Sequence, residues 1–239
     1  MPQYINVPVT FVYTGSTSGT TISAVVDSYS FQPTASPGML LSILGSHLAN
    51  TTQSTSGNPF PFFAEGVSAT VNGLAAPILY VSSNLVNIQI PYEVGAGPAI
   101  LGINNNGQIA GFPFTIAPTA PGILSDEMGF AAPNSSARQG GYGTVFLTGA
   151  GEVSPALKTG FAPLITTAPA SQPKPVQPVS VTVGGVPAFV QYGGLAPGLI
   201  GTTQVNFLVP PTVSPGVQPV VVTVGGVSSP PVNLTVLAP

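Results

Sequence analysis

The chain has 239 residues, 44% of them hydrophobic and 4% charged, with a net charge of -3. Three basic residues cannot neutralise a phosphate backbone, which excludes nucleic acid as a partner and leaves little attraction to an anionic membrane surface. With no cysteine there is no disulfide, no thiol catalysis and no thiolate metal site.

From the N-terminus, residues 5–13 alternate apolar and other side chains and are β-prone. Pro8 suits an edge or donated strand better than a central one. Residues 14–21, rich in Ser, Thr and Gly, read as a flexible linker. Short apolar runs follow at 40–44, 67–71, 78–81, 85–90, 99–103 and 112–116, then at 144–148, 179–183, 188–192, 204–209, 220–224 and 232–236. Gly, Pro and Asn separate them, as turns separate strands. No apolar stripe of helical period lasts three turns, and Pro, Gly or Asn interrupts every stretch long enough to cross a membrane as a helix. The expected fold is all-β, built of β-sandwiches.

The sequence also repeats itself. VSATVNGLAAPILYVSSNLVNIQIPYEV from Val67 parallels VSVTVGGVPAFVQYGGLAPGLIGTTQVNFLVP from Val179. Asn72-Gly73 matches Gly184-Gly185, both dipeptides suited to type I′ hairpins. Pro77 falls near Ala188, Tyr80 matches Tyr192, Asn87 matches Asn206 and Pro91 matches Pro210. The second copy carries a longer loop at 193–203. Upstream, GMLLSILGSHLA from Gly38 parallels GTVFLTGAGEV from Gly143. Two copies of one sandwich are expected, joined at the Pro-rich turn 117–122. The expected parts are an arm and linker at 1–22, module 1 at 23–120 and module 2 at 121–239.

These phrases, with APTAPGIL and VVVTVGGVSSPPVNLTV, resemble a module common at the C-termini of large secreted acidobacterial proteins, and the IPT/TIG type of immunoglobulin-like domain. The resemblance runs over residues 23–239. It implies secretion and a tandem immunoglobulin-like fold, and no defined activity. No basic region followed by an apolar run opens the chain, so a signal peptide is expected either to have been removed or to lie in a longer precursor.

Nothing in the sequence reads as an enzyme, and no cofactor is expected. His47 is the lone histidine and lacks a G-x-S-x-G partner. Asp126 and Glu127, expected at the module junction, lack the D-x-D-x-D spacing of a calcium loop. Glu65, Glu93 and Glu152 are isolated along the chain, so only folding can pair them as a glycosidase requires. Gly140-Gly141-Tyr142-Gly143 and Gly149-Ala150-Gly151 have neither the Lys nor the following helix of a phosphate loop, and are expected as turns and bulges. Asn50, Asn134 and Asn233 head N-glycosylation triplets, best read as ordinary polar turns.

Two features point to function. The arm residues Ile5, Val7, Val9, Phe11 and Tyr13 form a candidate donor strand for a neighbouring copy, an open-ended contact that builds a filament. The cluster Phe60, Phe62 and Phe63 is a candidate contact loop, either packed against the sandwich or exposed to extracellular glycans. The expectation is therefore an extracellular structural protein whose partner is itself, the alternative being an adhesion or carbohydrate-binding module of a larger surface protein.

Overall fold

The computed structural model describes residues 19–165 and 168–239. Each half of it is a two-sheet β-sandwich.

Module 1 holds β1 (Thr21–Asp27), β2 (Leu40–Ser46), β3 (Gln53–Ser54), β4 (Phe63–Ala64), β5 (Val67–Val71), β6 (Leu74–Ala76), β7 (Ile78–Val81), β8 (Leu85–Gln89), β9 (Gly97–Asn105) and β10 (Gln108–Ile116). One sheet runs β1-β2-β8-β7-β3 and the facing sheet β10-β9-β5-β4, with β6 also on β5. Alternation along β9, with Ala99, Leu101 and Ile103 buried and Ile100 exposed, sends one face into a core shared with Leu41, Ile43, Val67, Val86 and Ile88.

Module 2 holds β11 (Gly122–Ile123), β12 (Ser136–Arg138), β13 (Tyr142–Thr148), β14 (Val153–Ser154), β15 (Lys174–Pro175), β16 (Val179–Val183), β17 (Val186–Leu195), β18 (Thr203–Leu208), β19 (Gly216–Val224), β20 (Val227–Ser228) and β21 (Val232–Leu237). The path is β11-β13-β18-β17-β16-β19-β21-β12. It is continuous because β17 bends from one sheet to the other, pairing first with β16 and then with β18. Its core gathers Val145, Leu147, Val205, Phe207, Val222 and Leu234.

The repeat is exact in register. Tyr80 opposes Asn87 beyond a bulge after Ile78, and Tyr192 opposes Asn206 beyond a bulge after Val190. Asn72-Gly73 and Gly184-Gly185 have positive φ at both positions, as type I′ turns require. By this register Pro77 corresponds to Phe189, one residue beyond the Ala188 it falls near in sequence.

The fold departs from expectation in three places. β1 begins at Thr21, inside the stretch read as linker, because Thr21–Asp27 pairs with Leu41 to Ser46 of β2 despite its polar start. Gly193, Gly194 and Leu195 extend β17 instead of opening a loop, because they pair with Val205, Gln204 and Thr203. Asp126 and Glu127 sit beyond the junction, in a turn within module 2 where Asp126 Oδ1 accepts the N–H groups of Met128 and Phe130 at 2.9 and 2.8 Å. The candidate donor residues Ile5, Val7, Val9, Phe11 and Tyr13 lie outside the described residues.

Candidate functional site

The most constructed surface of the molecule is the joint between the modules. Residues 117–121 bring the chain from β10 to β11 and press it against two glycines of module 2. A Cβ on Gly149 would lie 2.0 Å from the Ala120 carbonyl oxygen, and one on Gly151 would lie 2.3 Å from that of Pro118. Both glycines have positive φ. The second glycine-rich stretch is thus a packing surface for the linker, and Gly140 makes a turn before β13.

Side chains and backbone then cross the joint. The Leu40 N–H donates to Thr148 Oγ1 at 2.8 Å, and the Thr148 hydroxyl donates to the Gly201 carbonyl at 2.8 Å. Gln89 donates to the Gly38 carbonyl at 3.3 Å and accepts the Gly160 N–H at 2.8 Å. Pro77 lies against Gly160, and the Phe60 N–H donates to the Gly160 carbonyl at 2.8 Å. Thr159 accepts the Tyr92 N–H at 3.0 Å and donates to Glu93 Oε2 at 2.6 Å. Asn58 makes a paired contact with Ala162, accepting at 3.0 Å and donating at 3.2 Å. The hydroxyls of Tyr29 and Thr202 lie 2.7 Å apart.

Asp27 closes this joint from module 1 and is fully buried. It accepts the Tyr29 N–H at 2.7 Å and the Ser30 hydroxyl, and a Cβ on Gly122 would meet its Oδ2 at 1.5 Å. Desolvation pushes its pKa up, against the downward pull of those hydrogen bonds. Burial also pushes the Tyr92 phenol up, helped by the Glu93 charge beside it.

The other candidate residues fall as follows. His47 is exposed with positive φ just past β2, and its carbonyl accepts from Thr20 and Asn105. Glu93 and Glu152, far apart in sequence, line one cleft with Tyr92, Val153, Ala156 and Leu157. Glu65 is exposed elsewhere and accepts from Thr51. No group of three or more His, Cys, Asp or Glu that could hold a metal ion occurs among the described residues. Phe60 is half-buried at the joint, Phe62 lines a groove with Pro91, Glu93, Lys158 and Phe161, and Phe63 is 63% exposed. Asn50 and Asn134 are exposed, whereas Asn233 is half-buried within β21. No helix of the described residues is long and apolar enough to cross a membrane.

Sequence reasoning missed the joint residues Leu40, Pro77, Gln89 and Asp27. The signal was present in the repeat: where module 1 has Leu40, Pro77 and Gln89, module 2 has Tyr142, Phe189 and Leu208. Only knowing which copy is covered gives that difference a meaning.

Taking β1, β2, β5, β7, β8, β9 and β10 as strands A to G, module 1 reads A-B-E-D against C-F-G, and β11, β13, β16, β17, β18, β19 and β21 give module 2 the same order. That is the strand order of an immunoglobulin sandwich, so this is a tandem immunoglobulin-like protein. Solved structures similar to it include the extracellular region of plexin A4 (11% identity, TM-score 0.29, covering 91% of this chain and 18% of that one). Others are the I9-I11 tandem of titin (13%, 0.25, 92% and 66%) and InvD of Yersinia pseudotuberculosis (13%, 0.28, 94% and 59%). The chain therefore spans less than a fifth of the plexin region it matches. At these scores the immunoglobulin-like class stands on the strand order. No family model matches the chain, and no curated protein matches it.

Proposed function

We propose that the chain is a secreted structural subunit that assembles into an extracellular filament, the N-terminal strand of one copy adding to a sheet of another. The observation that carries this reading is the outer edge of β10. Over the nine residues Gln108–Ile116 this strand pairs with β9 on one side and with no strand on the other, among the described residues. Sheet edges are usually blunted by charge, bulges or a covering strand. Here there is no charged residue, and Pro113 alone interrupts the donors.

Module 2 supplies the contrast. Its corresponding strand β21 carries β12 on its outer side, in parallel, with Ala137 turned inward and Ser136 and Arg138 outward. A donated strand with apolar residues at alternate positions would fill the same place on β10. The arm sequence Val7-Pro8-Val9-Thr10-Phe11 also parallels Phe112-Pro113-Phe114-Thr115-Ile116 of β10, itself an edge strand of this chain. Secretion is supported by the resemblance of residues 23–239 to a module of secreted proteins.

The chain enters module 1 beside His47 and Gln108, where Thr20 bonds both, and the joint lies at the other pole. It leaves module 2 beside Arg138, at the pole remote from the joint. Contacts between unlike ends build fibres wherever their rotation does not close a ring. Electron microscopy of the chain with and without residues 1–18 tests the proposal. Stopping at 18 leaves β1 whole. Filaments that vanish on deletion are expected, and filaments unchanged by it would refute strand donation.

A further inference from the structure

The joint inside the molecule is itself a head-to-tail contact between two copies of one fold. Module 2 covers a transverse row on the far pole of module 1: Leu40 at the start of β2, Gln89 at the end of β8, and Pro77 just before β7. All three touch module 2. Leu40 meets Thr148 and Gly201, Gln89 meets Gly160, and Pro77 meets Gly160.

In module 2 the corresponding row is Tyr142, Leu208 and Phe189, in register across β13, β18 and β17. Nothing described covers it. Tyr142 is 60% exposed, Phe189 is 68% exposed and Leu208 is half-buried. An exposed aromatic-aliphatic row at the pole of module 2 remote from the joint, free of charge on all three strands, is the kind of patch that marks an interaction site.

Part of the counterpart surface is present on the opposite pole. Thr148 and Gly149, which bind module 1 from module 2, correspond to Ser46 and His47 at the end of β2. His47 has the positive φ of Gly149 but carries a side chain where Gly149 has none against the linker, and both Ser46 and His47 are exposed. The loop carrying Gly201, between β17 and β18, corresponds to Ser82, Ser83 and Asn84 between β7 and β8.

We infer that the row Tyr142–Leu208–Phe189 is the docking surface for the Ser46–Asn84 pole of a second copy, in the arrangement by which module 2 already sits on module 1. The inference deepens the filament reading and rests on it. The modules would then follow one another along the filament, with the contact between chains placed as the contact inside the chain is. Because the two surfaces are unlike and lie at opposite poles, each docked copy offers a free surface to the next, and the contact propagates as a fibre unless its rotation closes a ring. Tyr142 and Phe189 supply the large apolar area that a contact between chains needs, since it must offset the loss of free motion that the linker at residues 117–121 spares the internal joint.

The absence of cysteine makes a direct test simple. In the full chain, Tyr142→Cys with Ser46→Cys places one thiol on each pole, at the positions of Leu40 and Thr148. Mild oxidation should give a ladder of disulfide-linked dimers, trimers and longer species on a non-reducing gel, while either single variant stops at dimers. A second variant, Tyr142→Glu with Phe189→Glu, alters only exposed side chains and should leave the melting temperature unchanged. It should raise the concentration needed for assembly by about 100-fold, as loss of two contacts at about tenfold each predicts. No ladder, together with filaments of the Glu variant indistinguishable from wild type, would overturn this docking while leaving strand donation standing. Wild-type chains that stay monomeric at every concentration would remove the filament reading and this inference with it. Retention of wild type on immobilised neutral glycans, lost in the Glu variant without any effect on assembly, would reassign the row to a glycan and overturn the docking.

Discussion

Modules 1 and 2 share strand order, register, bulges and turns, and they differ at their borders. β1 pairs with six of the seven residues of β2, whereas β11 pairs with only the last two residues of β13. β10 has an open outer edge among the described residues, while β21 is covered by β12. The row that is buried at the far pole of module 1 is exposed in module 2. Duplication preserved the core and left the borders to diverge, and the borders are where partners attach. Equivalent residues therefore carry different energies according to what lies over them, and that difference can be broken one position at a time.

The largest expected effect is at the covered row. Leu40→Ala should cost about 2–4 kcal/mol, since it deletes a buried side chain between two modules, whereas Tyr142→Ala at the same place in module 2 should stay within about 0.5 kcal/mol in the monomer. Equilibrium denaturation of both variants measures the contrast, and equal costs would mean that the joint does not bury Leu40 as described.

Next is Gly122→Ala. Its new Cβ would fall on Asp27, so an overpacking cost of about 1–3 kcal/mol and a splitting of one melting transition into two are expected in calorimetry. The equivalent Thr21 already carries a side chain in module 1, where no module precedes it in the described residues, and Thr21→Ala should leave the melt single.

Thr148→Val removes a hydroxyl that both accepts from Leu40 and donates to Gly201 inside the joint. Two buried backbone groups lose their partner, so about 1–3 kcal/mol should be lost, against a few tenths for Ser46→Ala at the exposed equivalent. Matching losses at the two positions would erase the distinction between the poles.

The smallest effect is one of pH. The folded-state pKa of Asp27 is raised above the ordinary value of 3.8, so the folded protein holds this proton more tightly than the unfolded chain does. Between the ordinary and the raised value, stability therefore falls as pH rises, and the cost of burying the charge is complete above the raised value. Asp27→Asn should flatten that part of the stability curve and be relatively most favourable above it. Unfolding at stepped pH from 3 upward checks the sign, and parallel curves for variant and wild type would mean that Asp27 does not titrate against the joint.

Much of the fold was legible because its causes are local. Period-two alternation placed the strands, positive-φ dipeptides placed the hairpins, and the paired Tyr80–Asn87 and Tyr192–Asn206 motifs revealed the duplication. β1 escaped notice because Thr21, Ile22 and Ser23 look like the end of a polar linker, and only pairing with β2 makes them a strand. The glycine-rich stretch at 149–151 looked like turns, and its further role appears only when Ala120 and Pro118 arrive against it.

By itself the sequence determined that this is a cysteine-free, charge-poor pair of repeated β-sandwiches, because alternation, turn chemistry and internal repetition are properties of neighbouring residues; the immunoglobulin-like class, implied there only by a family resemblance, rests on the strand order of the folded sheets. Tertiary structure alone decided which of two equivalent rows is covered, which strand edge is open and where Asp27 is buried. Those outcomes depend on residues far apart in the chain meeting across the joint, and no local pattern encodes what will lie on top of a side chain.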